Sequence, residues 1–185
     1  MHSKLIVTKE DIITFWFEEI SPEQWFKKDK EFDAMLLERA GTTVIKALNG
    51  QLDRWSKTST GSVSLVILLD QFTRNIFRDT PKAFSGDEMA LVLCQKSINS
   101  KWFSELSMTF KQFLLMPMMH SEDISIQEKS LPLFKQHANN RTYEFAVKHR
   151  DIIAKFGRFP HRNLILSRPS TEEELIFLNQ PGSSF

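Results

Sequence analysis

Three stretches of this 185-residue chain hold side chains that could do chemistry together. Asp70-Gln71-Phe72-Thr73-Arg74-Asn75-Ile76-Phe77-Arg78 sets an acid, two amides and two arginines in an apolar frame. His120-Ser121-Glu122-Asp123 puts an imidazole beside two carboxylates. Phe156-Gly157-Arg158-Phe159-Pro160-His161-Arg162-Asn163 places two arginines, a histidine and an asparagine among phenylalanines. The planar fork of arginine grips a carboxylate or phosphate through two parallel bonds. Arg74, Asn75, Arg78, Arg158, His161, Arg162 and Asn163 are therefore the candidate anion-binding residues. Histidine titrates near neutrality, so His120, with Glu122 or Asp123, is the candidate acid–base group of a hydrolytic or transfer reaction.

A structural reading of the same residues competes with this one. On a helix, Asp70 and Arg74 are i,i+4 neighbours, and the run before them is so apolar that they should be at least partly buried. Buried charges must be paired or hydrogen-bonded. Asp70 and Gln71 are accordingly expected in a structural network. The distribution of cations favours a site: five of nine arginines (Arg74, Arg78, Arg158, Arg162, Arg168) fall in windows 70–78 and 158–168, and neither window holds a lysine. The same excess would serve internal arginine–carboxylate ties to Asp70, Glu122 and Asp123. His120, His149 and His161 could meet the acids at a metal, but no HxH, HExxH or CxxC spacing exists, and neither metal nor cofactor is assigned.

The elements that must position these residues read as helices nearly throughout. Thr8 caps the first, with Asp11 at the capping-box position. Apolar residues from Phe32 to Leu48 recur at spacings of three and four before Asn49-Gly50 ends the run. The next helix, over 61–77, is apolar on nearly all sides and should be the central one. Thr80-Pro81 reads as a cap with proline at the first helical position. Another helix covers 87–98, and Pro117 should end or kink the one holding Phe113. Ser121 is expected to cap a helix whose first turn carries Glu122 and Asp123, with Pro132 interrupting it. Helix 142–156 should stop at Gly157, and Ser170 or Thr171 opens a last short helix. His149 sits at the edge of an apolar face, where bonding a neighbouring carbonyl is expected. No alternating strand of useful length is present.

Composition bounds the rest. The 41% apolar content and 16 phenylalanines suit one ordered domain over residues 1–185. A net charge of +1 gives no basic field for nucleic acid or an acidic membrane. Cys94 alone can form no internal disulfide, and its apolar neighbours make it a core residue in a reducing, cytoplasmic setting. The apolar run Leu65 to Leu69 is far short of the roughly 20 residues of a membrane-spanning helix.

Together with Trp25-Phe26, Phe84, Asp87 and the ending Pro181-Gly182-Ser183-Ser184-Phe185, the three motifs resemble the bacterial domain-of-unknown-function family 924. That resemblance implies a tetratricopeptide-like, all-α bundle of antiparallel helical hairpins, about eight or nine helices in all. It implies no activity. Thr73 stands where proline is usual, Pro132 falls in a normally unbroken helix, and Ser167 occupies a usual glycine position before Arg168. Two functions stay open. One is an Arg/His-lined pocket for a small anionic ligand, with hydrolytic or transfer chemistry. The other is a protein- or peptide-interaction module whose polar motifs are a structural network.

Overall fold

The computed structural model describes residues 5–184. Among these, contiguous α and π segments make eight helices, and no strand forms. Helix α1 is Lys9–Thr14 continuing into a π segment, Phe15–Glu19. Thr8 opens it with the reciprocal capping box the sequence predicts. Helix α2 is Lys30–Leu48, capped by Asp29. Helix α3 runs over 59–76 as Ser59–Val66, a π segment Ile67–Phe72, and Thr73–Ile76. Then follow α4 (Asp87–Ile98), α5 (Met108–Met119), α6 (Ile124–His137), α7 (Asn140–Phe156) and α8 (Glu172–Leu178).

The middle of α3 is the centre of the molecule. Every residue from Gly61 to Thr73 is buried, and α1, α2, α4 and α5 all pack against it. It has no solvent face, so it is apolar nearly all round, and its polar residues Ser62, Ser64, Asp70, Gln71 and Thr73 all find hydrogen-bond partners inside the protein. The helix begins two residues before the predicted start because Thr58 accepts the Gly61 N–H, a cap the apolar pattern alone does not mark. Helices α5, α6 and α7 pack in succession across connections of four and two residues. Such short links keep each helix packed against the one before.

Aromatic residues knit the N-terminal third to α5. Trp16 and Phe113 are fully buried with ring centroids 5.8 Å apart, and Trp25 lies 4.9 Å from Phe113 while its indole N–H donates to the Trp16 carbonyl at 2.7 Å. A second, smaller apolar cluster of Ile152, Ile153 and Phe159 lies under Phe156 and Phe177. It anchors the 157–163 turn to α7 and α8.

Two expectations about the α5–α6 region are corrected. Pro132 does not interrupt α6, which runs unbroken from Ile124 to His137. The proline is exposed, as is Glu128, whose carbonyl loses its i+4 partner; water can satisfy that group on this face. Nor does Ser121 cap α6. Asp123 does, accepting the Ser125 N–H at 2.7 Å, so Glu122 and Asp123 precede the helix instead of forming its first turn. Pro117 sits inside α5, which ends after Met119. The α7 start moves to Asn140 because Asn139 caps it. Gly157 terminates α7 with φ 69°, the left-handed conformation glycine adopts without a Cβ penalty.

Candidate functional site

Asp70 is wholly inaccessible to solvent, so its carboxylate must find partners within the protein. It finds three. Gln71 donates through Nε2 at 2.5 Å, His120 approaches through Nδ1 at 2.7 Å, and Arg74 lies in ion-pair contact at 3.1 Å. Burial alone would raise the carboxyl pKa. The charges of Arg74 and His120 and the bonds from His120 and Gln71 outweigh it and hold Asp70 below the usual carboxylate range. An ionised carboxylate only accepts hydrogen bonds, so Nδ1 of His120 carries the proton. The His120 side chain is 16% exposed and makes no other hydrogen bond among the described residues, leaving Nε2 to face solvent.

Arg74 joins α3 to α4. Its NH1 and NH2 grip the two Asp87 oxygens at 2.8 and 3.0 Å, and NH1 also donates to the Asp70 carbonyl at 2.7 Å. Gly86 makes this approach possible, because a Cβ there would stand 2.2 Å from the Leu69 carbonyl oxygen. Arg162 reaches the same carboxylate from the other side, with NH1 3.5 Å from Asp87 and NH2 donating to the His120 carbonyl at 3.0 Å. Its Cζ lies 4.7 Å from the Phe84 ring centroid and 4.6 Å from that of Phe159. All three motifs thus meet, through Arg74, His120 and Arg162.

The other candidates have different posts. Arg78 turns to Asp33 on α2, bonding it through Nε and NH2, and also donates to Asn75. Arg158 points to α8, gripping Glu174 at 2.7 and 2.8 Å, and this bond holds the Glu174 carboxyl down at about 2. Glu122 accepts both prongs of Arg168 and the Phe159 N–H, which fastens the 157–168 segment to the α5–α6 turn. Asn163 bonds Arg168 and Ser170 within that segment. Asp123, exposed, serves as the α6 cap. Of the three residues read as acid–base candidates, only His120 meets Asp70.

Two further imidazoles stand behind His120. His149 has its ring centroid 6.1 Å from that of His120 and its Nδ1 2.7 Å from the Phe145 carbonyl, the carbonyl bond its sequence position suggests. Burial, and the nearby His120 charge, push it down to about 3. His161 packs on Phe159 at 5.6 Å, and burial together with Arg162 lowers it to about 4. Both are neutral at physiological pH.

Asp87, Phe84, Asp33 and Glu174 are the partners that reading motifs for chemistry passed over. The three acids each carry an ordinary helical signal that masks their role. Asp87 and Asp33 lie in first turns, where acids suit the helix dipole, and Glu174 completes the Thr171 capping box.

The architecture defines an all-α protein in which polar motifs from distant parts of the chain close around one buried acid. The family described as "Bacterial protein of unknown function (DUF924)" matches residues 12–182, and the chain belongs to it. A solved structure of a protein of unknown function from Agrobacterium tumefaciens is similar at a TM-score of 0.87 and 35% identity, over 92% of this chain and 96% of that one. No curated protein matches. No helix among the described residues is long and apolar enough to cross a membrane.

Proposed function

We propose that the Asp70–His120 pair is a general acid–base centre for a hydrolytic or transfer reaction on a small substrate, and that the arginine–carboxylate pairs are the frame that holds it. One observation carries this reading: a fully buried carboxylate fixes Nδ1 of a partly exposed imidazole and leaves Nε2 uncommitted. Such a carboxylate sets the tautomer and opposes the charge that develops when the ring takes a proton. Nε2 then removes a proton from water or a substrate hydroxyl as its oxygen attacks, and returns that proton to the leaving group. The Nδ1 proton stays between His120 and Asp70 throughout.

The arginines support the frame half of the reading. Arg74, Arg78, Arg158 and Arg168 each have two guanidinium nitrogens on one carboxylate, which leaves them little capacity for an incoming anion. Release of a compact panel of carboxylic ester, amide and phosphomonoester leaving groups tests the centre. His120→Gln should lower the rate on any accepted substrate by about 10²–10⁴-fold while leaving the fold intact. Turnover unchanged by that substitution would end the proposal.

A second reading, a peptide-interaction module, has its own support in a groove along α2 lined by Leu37, Gly41, Ile45 and Phe77, with Lys46 and Lys82 beside it. Leu37 is 51% exposed and Ile45 37%. Binding of an acidic, leucine-rich peptide lost on Leu37→Asp would favour it; equal binding by that variant would remove it.

A further inference from the structure

We infer that Arg162 is a substrate anchor beside His120 and that the group it takes is a carboxylate. The inference rests on the acid–base reading of His120 and names the substrate class for that centre.

Arg162 is the exception among the five arginines of the two motif windows. The other four each place two nitrogens on a single carboxylate. Arg162 has one good bond, from NH2 to the His120 carbonyl, and one long contact from NH1 to an Asp87 oxygen that already receives Arg74. Its Nε is buried and has no hydrogen-bond partner among the described residues. The whole residue is only 7% exposed. A desolvated cation with an unused N–H stands well above its lowest free energy, and an acceptor that fills the vacancy recovers the difference. Burial, with Arg74 as a neighbouring cation, lowers the Arg162 pKa to about 10, the sign expected of a charge short of counter-charge.

The surroundings select the acceptor. Phe84 and Phe159 lie against the guanidinium, so a ligand meets its N–H edge and not its face. An edge of parallel donors matches a flat group with two oxygens. Asp87 already stands between Arg74 and Arg162, so a monoanion meets far less repulsion than a phosphate dianion does. The bond from Arg162 to the backbone of His120 ties the anchor to the residue whose ring does the chemistry. The substrate is therefore a small carboxylate-bearing molecule, with the reacting bond a short distance from the carboxylate.

The Nε–H resonance of Arg162 reads this directly. It is assigned through-bond in 15N-labelled wild-type protein, checked by its disappearance in Arg162→Lys, and followed during titration with acetate at constant ionic strength, with chloride as the balancing ion. The expected result is a saturable shift of Arg162 Nε–H under acetate, with the Arg78 and Arg158 signals unmoved. His120→Gln keeps the backbone carbonyl and should keep the acetate response, so the anchor can be judged apart from the acid–base centre. An Arg162 signal indifferent to acetate overturns the inference, as does one that answers inorganic phosphate but not acetate, or a uniform drift of all arginine signals.

Discussion

The Asp70 carboxylate and the His120 imidazole, fifty positions apart in the chain, lie 2.7 Å from one another at the junction of α3 with the end of α5. Asp70 is also one of two counter-charges for Arg74, beside Asp87, so removing it leaves a partly buried guanidinium half compensated and the His120 ring without its partner. Asp70→Ala should lower the unfolding free energy by about 3–5 kcal/mol, the range for breaking a buried pair from one side. Urea denaturation of the two proteins measures it. A loss below about 1 kcal/mol, the value for a solvated surface pair, would contradict the burial.

Stability should depend on pH through His149 and His161. Both have folded pKa values below the unfolded value of about 6.5, near 3 and 4 respectively. Between about pH 6.5 and pH 4 the unfolded chain therefore binds protons that the folded protein refuses, and stability falls as pH falls. The slope for the two groups together is up to about 2.7 kcal/mol per pH unit. Asp70, Glu122 and Glu174, with depressed values, begin to lose their contribution as pH falls through the unfolded carboxylate range of about 4–4.5, so the window above about pH 5 belongs to the histidines. Thermal melting at pH 7 and pH 5 should show the drop, and His149→Gln should reduce it. A melting temperature independent of pH over that interval would contradict the neutral, buried rings.

Gly86→Ala tests how Asp87 is delivered to Arg74 and Arg162. The new Cβ would meet the Leu69 carbonyl oxygen at 2.2 Å, a backbone atom that cannot swing aside. The cost should be about 1–3 kcal/mol, as for other overpacked sites. The 15N side-chain signals of Arg74 and Arg162 should move with it. Wild-type stability in the variant would show that the 84–87 segment is not pressed against α3.

Much of this was legible in the sequence because local rules and tertiary demands agree there. The Thr8 capping box, the Gly157 stop, the burial of α3 and the carbonyl-bonded His149 follow from spacing and residue type alone. The partners of the arginines were not legible, since Asp33, Asp87 and Glu174 look like ordinary first-turn acids until the fold brings them across. Pro132 misled because proline's clash is a backbone matter, and its cost depends on whether the freed carbonyl reaches water. Thr73 donates its hydroxyl to the Leu69 carbonyl at 2.7 Å, where the widened π segment gives way to α-helix.

Ser167 has φ 55°, the left-handed region that L residues enter at a cost. Ser167→Gly removes that strain and adds backbone entropy to the unfolded chain, so the net gain should be modest, up to about 1 kcal/mol. A clear loss of stability on urea denaturation would mean that the serine hydroxyl makes a contact worth more than the strain.

The tautomer of His120 tests the central claim most directly. Long-range 1H–15N correlation of the 15N-labelled protein distinguishes a protonated ring nitrogen from a bare one without any substrate. Neutral His120 is expected to carry its proton on Nδ1, shared with Asp70, and to have a bare Nε2, and Asp70→Asn should abolish this preference. A neutral ring protonated on Nε2, with Nδ1 bare toward Asp70, would contradict the account, because no general base would then face the solvent.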